Sequence, residues 1–228
     1  ELAAVAPARV FATNAAVKAA GDGGRATDAV VRAVAPGTTG DAAALRFTYR
    51  GFSEDTVALG SGQVRRQVGL KLRAADGCNL VYVMWRIEPG PGVEVSVKAN
   101  PCARPHAECG TGGYTKLKSG VKATAPRLEP KVEHTLQAEI RGDELSWRAT
   151  WRGLALAGAR SRTSALQTDP ASLYFGRRIP QRPEHETYAR LDARSGPWAA
   201  AVDVLDQGDS FLDPINFRRT PGRTLVGA

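Results

Sequence analysis

The chain has 228 residues, of which 43% are apolar, an ordinary globular composition that argues against disorder. Lys and Arg number 31 against 23 Asp and Glu, for a net charge of +8. Arginine supplies most of that charge, and a guanidinium favours planar, paired contacts to carboxylate, sulfate or phosphate. No run of about 18 apolar residues occurs, which excludes a membrane-spanning helix. The basic residues are spread along the chain instead of massed in a tail, which disfavours nucleic acid as the partner.

The chain begins at Glu1 and not at Met, as expected of a processed chain. Residues 1–40 are rich in Ala and Gly. Within them Thr27-Asp-Ala-Val-Val-Arg-Ala-Val34 has a short helical pattern with Thr27 as N-cap, closed by Pro36-Gly37. This segment reads as an N-terminal arm that wraps the domain. From Leu45 onward the pattern changes. In Leu45-Arg-Phe-Thr-Tyr-Arg50 the residues Leu45, Phe47 and Tyr49 alternate with Arg46, Thr48 and Arg50. Val68-Gly-Leu-Lys-Leu-Arg73 and Leu136-Gln-Ala-Glu-Ile-Arg141 repeat it. A period of two buries one strand face and wets the other, the mark of antiparallel sheet.

Strands are expected over 67–73 and 79–87, joined by Ala74-Ala-Asp-Gly-Cys78, whose Asp-Gly is a strong hairpin signal. Pro89-Gly-Pro-Gly92 then turns the chain into a strand over 93–98. A long loop runs from Asn100 to about Lys131. Strands over 134–141 and 144–152 follow, joined by Gly142-Asp143, and two more are expected over 172–178 and 188–194. Residues 198–206 carry a weak helical period. The whole reads as one all-β domain, a two-sheet antiparallel jelly-roll sandwich. Its core spans residues 45–194, its arm 1–40 and its tail 195–228, with little helix.

Trp85 alternates with Val81, Val83 and Ile87, and Trp147 and Trp151 with Leu145 and Ala149, so all three tryptophans read as core. Trp198, beside Pro197, reads as exposed. Cys102 and Cys109 flank six residues that include Pro105, a spacing that suits a disulfide-stapled loop and leaves Cys78 free. A staple implies an oxidising place: secreted, periplasmic or cell surface. Metal binding by Cys102, His106 and Cys109 lacks an evident fourth ligand, and no cofactor is implied.

The pair Val68-Gly-Leu-Lys-Leu-Arg73 and Leu80-Val-Tyr-Val-Met-Trp-Arg86, followed later by Val132-Glu-His-Thr-Leu-Gln-Ala-Glu-Ile-Arg-Gly-Asp-Glu-Leu-Ser-Trp147, resembles the concanavalin A-like, laminin G-type jelly roll over about residues 45–194. The resemblance implies a curved sandwich whose face holds glycans, in lectin-like modules, hydrolases or lyases. The Glu-x-Asp-x-x-Glu strand of the hydrolases is absent, so retaining hydrolysis has no paired carboxylates. The lyase-like strand Gln-Ile-His is also absent, although Tyr174-Phe-Gly-Arg-Arg178 stands near where a Tyr-Phe-Lys segment occurs in such enzymes.

The candidate ligand residues are Lys71, Arg73, Tyr82, Arg86, Arg141 and Arg148, with Arg73, Arg86, Arg141 and Arg148 expected to converge on one sheet face. Together they suit carboxylate recognition on an acidic polysaccharide or a cell-surface glycan. The expected function is an extracytoplasmic carbohydrate-binding or adhesion module. The alternatives are a lyase that cleaves a uronate polymer by β-elimination with Tyr82 or Tyr174 as base, and a structural protein-interaction domain without a glycan ligand.

Overall fold

A computed structural model describes residues 9–13, 16–19, 25–26, 30–34, 40–117, 127–152, 154–163 and 165–228. The first strands are β1 (Arg9–Thr13), β2 (Ala16–Ala19), β3 (Arg25–Ala26), β4 (Val30–Val34) and β5 (Ala42–Gly51). Next come β6 (Arg66–Leu72), β7 (Leu80–Glu88), β8 (Gly92–Lys98), the single-turn helix α1 (His106–Cys109) and β9 (Tyr114–Lys116). The second half holds β10 (Glu133–Arg141), β11 (Glu144–Trp151), β12 (Leu154–Arg162), β13 (His185–Ser195) and β14 (Trp198–Gln207). The short strands β15 (Ser210–Phe211) and β16 (Arg219–Thr220) and then β17 (Arg223–Gly227) end the chain.

The fold is all-β, with antiparallel pairing throughout. One sheet has the order β4-β1-β6-β7-β8-β9 and the other β17-β14-β13-β12-β11-β10-β5-β2-β3, while β15 and β16 form a separate ribbon. The two sheets pack face to face because their alternate residues are apolar. Val68, Leu70 and Leu72 on β6 and Val81, Val83, Trp85 and Ile87 on β7 meet Leu45, Phe47 and Tyr49 on β5 and Leu136, Ala138 and Ile140 on β10. Trp85 is the centre of this core, with ring centroids 6.2 Å from Phe47, 5.7 Å from Trp151 and 5.7 Å from His134. Edge-on aromatic packing of this kind adds to the burial of area. Trp147, expected in the core, is partly buried at its margin, and Trp198, expected exposed beside Pro197, is exposed on β14.

Both short hairpins form. Asp76 accepts the backbone N–H groups of Cys78 and Asn79 on one oxygen, at 2.7 and 2.8 Å, and so folds the first turn. In the second, Gly142 adopts φ 56°, which a residue without a side chain reaches without strain.

Three local expectations are corrected, and one strand is added. Residues 30–34 are a strand and not helix, since three valines in five positions pair with β1 more readily than they pack a lone helical turn; Thr27, Pro36 and Gly37 lie outside the described residues. Residues 198–207 are also a strand, paired along their length with β13. The 172–178 segment is a series of turns, closed by bonds such as Phe175 N–H to Ser172 O and Arg177 N–H to Tyr174 O. An unforeseen strand, β12, sits between β11 and β13. Its sequence, Leu-Ala-Leu-Ala-Gly-Ala-Arg-Ser-Arg, lacks the apolar–polar alternation that marks the others.

Candidate functional site

The face of β6–β9 turned away from the core carries Gln67 and Lys71 on β6, Tyr82, Met84 and Arg86 on β7, Glu94, Ser96 and Lys98 on β8, and Tyr114 and Lys116 on β9. Register sets these side chains in rows. Lys71 pairs with Tyr82 and Tyr82 with Ser96, while Met84 pairs with Glu94. Ser96 pairs with Lys116, and Lys98 with Tyr114. Two loops wall this face. The first is the strap of residues 52–65 between β5 and β6, and the second is the loop before β9. Between them lies a groove of about 390 Å³ whose lining includes Lys71, Tyr82, Glu94, Tyr114 and Lys116. That volume falls in the range of small-molecule and sugar sites, roughly 300–1,000 Å³.

Two features mark the floor of the groove. The Tyr114 hydroxyl donates to that of Tyr82 at 3.2 Å, with the rings 5.7 Å apart and tilted by 36°. The Lys71 ammonium lies 5.1 Å from the Tyr82 ring centroid, and that of Lys98 lies 5.1 Å from the ring of Tyr114. The second feature is Glu94, a half-buried carboxylate contacted by three cations: Arg65 Nη1 at 3.2 Å, Arg86 Nη1 at 3.1 Å and Lys116 Nζ at 3.3 Å. Burial alone would raise the pKa of Glu94, but Lys116, Arg65 and Arg86 outweigh it and hold the carboxyl below its ordinary range. Three cations around one carboxylate leave the cluster with an excess of positive charge.

The wall before β9 is built by a disulfide, and here the expected pairing is corrected. Cys78 bonds Cys109, with Cα atoms 5.9 Å apart, while Cys102 is a free thiol exposed to solvent. The reason is a lacework of side chains that sequence spacing does not show. The Asp76 turn aims Cys78 inward, where it is fully buried. Asn79 then donates to Ala103 O, and its carbonyl accepts Asn100 N–H. The Lys98 ammonium is itself fully buried and donates to Gly77 O at 3.2 Å and Gly110 O at 2.8 Å, tying the two loops together over β8. Burial pushes the pKa of Lys98 below the ordinary lysine value, only partly opposed by the charge of Asp76. With both its sulfur and its loop engaged, Cys109 is not available as a metal ligand beside Cys102 and His106.

The expected convergence of four arginines is not found. Of the six candidate ligand residues, Lys71 and Tyr82 line the groove, and Arg86 stands on the same sheet face as part of the Glu94 cluster. Arg73 falls just past the end of β6 at φ 44° and pairs with Asp41 at 2.7 Å. Arg141 and Arg148 belong to the opposite sheet, Arg141 paired with Glu139 at 2.7 Å. Arg148 borders a hollow of about 610 Å³ there, floored by Ala42, Ala44, Ser146, Ala157 and Ala159. Gln137, Glu139, Trp147 and Tyr188 also line it, and none of the other five candidate ligand residues does. Tyr174 lies in the turns of 172–178, outside the groove.

Glu94, Tyr114, Lys116, Gln67 and Arg65 complete the groove and were not among the candidates. Glu94 was within reach: carrying the hairpin register through Pro89-Gly-Pro-Gly92 sets it opposite Met84. Tyr114 and Lys116 arrive through a loop whose path no local pattern reveals.

No protein family matches the chain, and no curated protein is similar to it in sequence.

Proposed function

We propose that the chain is an extracytoplasmic glycan-binding module that takes an acidic sugar chain in the groove over β6–β9. The observation that carries this reading is the Tyr82–Tyr114 pair, flanked by Lys71 and Lys116. Aromatic faces stack on the apolar side of a pyranose ring, and ammonium groups beside them bind its carboxylate or sulfate. The surplus of cations over Glu94 supports an anionic ligand over a neutral one. Kinship with the concanavalin A-like jelly rolls, proposed from the sequence pattern, fits a sandwich that uses a sheet face in this way. A disulfide between Cys78 and Cys109 is compatible with a secreted, periplasmic or cell-surface location. Among the described residues no helix is long and apolar enough to cross a membrane.

One observation favours a second reading. A tyrosine hydroxyl that hydrogen-bonds another, next to a lysine, has the parts needed for β-elimination on a uronate. One of the two, as its phenolate, would take the proton α to the carboxylate while Lys71 neutralises the carboxylate and so acidifies that proton; the other hydroxyl would protonate the glycosidic oxygen as its bond to the β-carbon breaks. Polygalacturonate, alginate, hyaluronan and heparan sulfate, incubated with the protein, separate these readings. Binding by calorimetry without ultraviolet-absorbing unsaturated product supports the module. Appearance of that product assigns a lyase. Neither binding nor product would leave a structural, protein-interaction role.

A further inference from the structure

The two walls of the groove meet. A Cβ placed on Gly60, in the strap, would lie only 2.8 Å from Cγ2 of Thr111, in the disulfide-tied loop. Both residues line the groove. The strap enters β6 at Arg66, and Thr111 belongs to the opposite end of that sheet face. Lys98, which receives Tyr114 in register, pairs with Leu80, and Leu72 at the end of β6 pairs with the adjacent Val81. Six residue steps of strand, about 20 Å, separate these ends. The strap therefore leaves the Arg66 end and leans over the floor toward the Tyr114 side, where its tip meets Thr111.

Both partners of the contact are braced. The tip is a tight turn, with Leu59 N–H bonded to Gln63 O at 3.0 Å and Gly62 N–H to Leu59 O at 2.8 Å. The base of the strap is held where Arg66 lies 3.8 Å over the Phe52 ring and Arg65 reaches Glu94. On the other side, Thr111 follows Gly110, whose carbonyl accepts from Lys98, and Cys109, which is bonded to Cys78. Gly60 is at the point of contact because any side chain there would collide with Thr111. The groove is thus closed at the Tyr114 end by two anchored loops.

Resting on the glycan reading, we propose that this closure makes the groove a receptor for the end of an acidic sugar chain or for a short oligosaccharide, and not for the interior of a long polymer. A polymer laid across an open sheet face continues out of both ends of its groove. Here the Gly60–Thr111 contact blocks one of those exits, so the last sugar of the chain must lie against Tyr82 and Tyr114, its anionic group near Lys71 or Lys116. The strap and the stapled loop then select for a chain terminus.

Binding stoichiometry tests this, measured by calorimetry and sedimentation with length-fractionated polygalacturonate, alginate and hyaluronan, from tetrasaccharides to chains of hundreds of sugars. Terminus recognition predicts one protein per chain at every length, and equal affinity per chain for short and long fractions. Two variants that open the closed end are Thr111→Gly and a strap in which residues 58–62 are replaced by two glycines, each checked for a native melting transition. In them the number bound per chain should rise several-fold with length. Wild-type loading that grows in proportion to length overturns the inference while leaving the glycan reading intact. So does wild-type loading of one per chain that neither folded variant alters, since closure would then not be its cause. Absence of binding to every fraction, tetrasaccharides included, overturns the glycan reading itself.

Discussion

Tyr114 donates its hydroxyl to that of Tyr82 at 3.2 Å, although 32 residues separate the two in the chain. The contact exists because β9 adds to β8 at the Lys98 end and sets Tyr114 beside the loop that the Cys78–Cys109 bond holds down. The site and the staple are thus one construction, and each can be tested through the other.

Removal of the staple should cost stability and binding together. The bond joins residues 31 apart, and closing a loop of that size contributes about 3–4 kcal/mol. Cys78→Ala and Cys109→Ala should therefore melt many degrees lower, while Cys102→Ser should change stability by less than about 0.5 kcal/mol. Thermal melts, with mass spectrometry of a non-reduced digest, check both statements. A Cys102 linkage in the digest would contradict them.

Tyr114→Ala should weaken binding of an acidic oligosaccharide about five- to tenfold, the worth of one stacked ring at roughly 1 kcal/mol. Tyr114→Phe keeps the ring and should retain most of the affinity for a binding module. A lyase that used this hydroxyl would lose turnover in Tyr114→Phe without a matching loss of affinity. Calorimetry and the ultraviolet assay read the two effects separately.

Charge at the Glu94 cluster should set both affinity and its salt dependence. Arg86→Ala leaves Glu94 with less compensation and should weaken acidic ligands. Arg162→Ala breaks only the exposed pair with Glu184 on the other sheet and should leave them unchanged. Glu94→Gln removes the lone carboxylate among three cations. It should tighten binding at low salt, and lower stability by about 1 kcal/mol as the partly buried cations lose their partner. All of these differences should shrink toward physiological ionic strength, where screening acts within about 8 Å.

Stability should fall as the solution is acidified below the ordinary histidine pKa. Burial lowers the pKa of His134, a shift its hydrogen bond to Glu129 O opposes but does not cancel, and its Nδ1 has no hydrogen-bond partner among the described residues. In the unfolded chain His134 takes up a proton near pH 6.5, whereas in the fold it stays neutral to lower pH. The unfolded state therefore binds more protons in that window, and stability is lost as pH drops from about 6.5 toward the folded pKa. Urea midpoints across this range check it, and His134→Phe should flatten that part of the profile.

Much of the fold was legible because strand pattern is local. Asp-Gly and Gly-Asp mark hairpins through backbone geometry alone, and period-two alternation assigns each side chain to a face. On that basis Trp85, Trp147 and Trp151 belong to the core, and Tyr82, Met84 and Arg86 to the opposite face. Where no apolar–polar alternation is written, as in the Ala-rich β12, the strand goes unseen. Weak helical periods over 30–34 and 198–206 yield to pairing with β1 and β13, because a tertiary ladder outweighs local preference.

The amino-acid sequence by itself determined the all-β class, the two tight hairpins and which residues of β6 and β7 share the wet face. Only the tertiary structure decided which strands become neighbours. That order sends Arg141 and Arg148 to the far sheet, ends β6 one residue before Arg73, and brings Tyr114, Lys116 and Arg65 to Tyr82 and Glu94. It also joins Cys109 to Cys78 in place of Cys102. Faces follow from a repeat of two residues, which any short stretch carries. Partners across sheets and loops follow from how the whole chain buries its apolar faces at once, and no short stretch carries that.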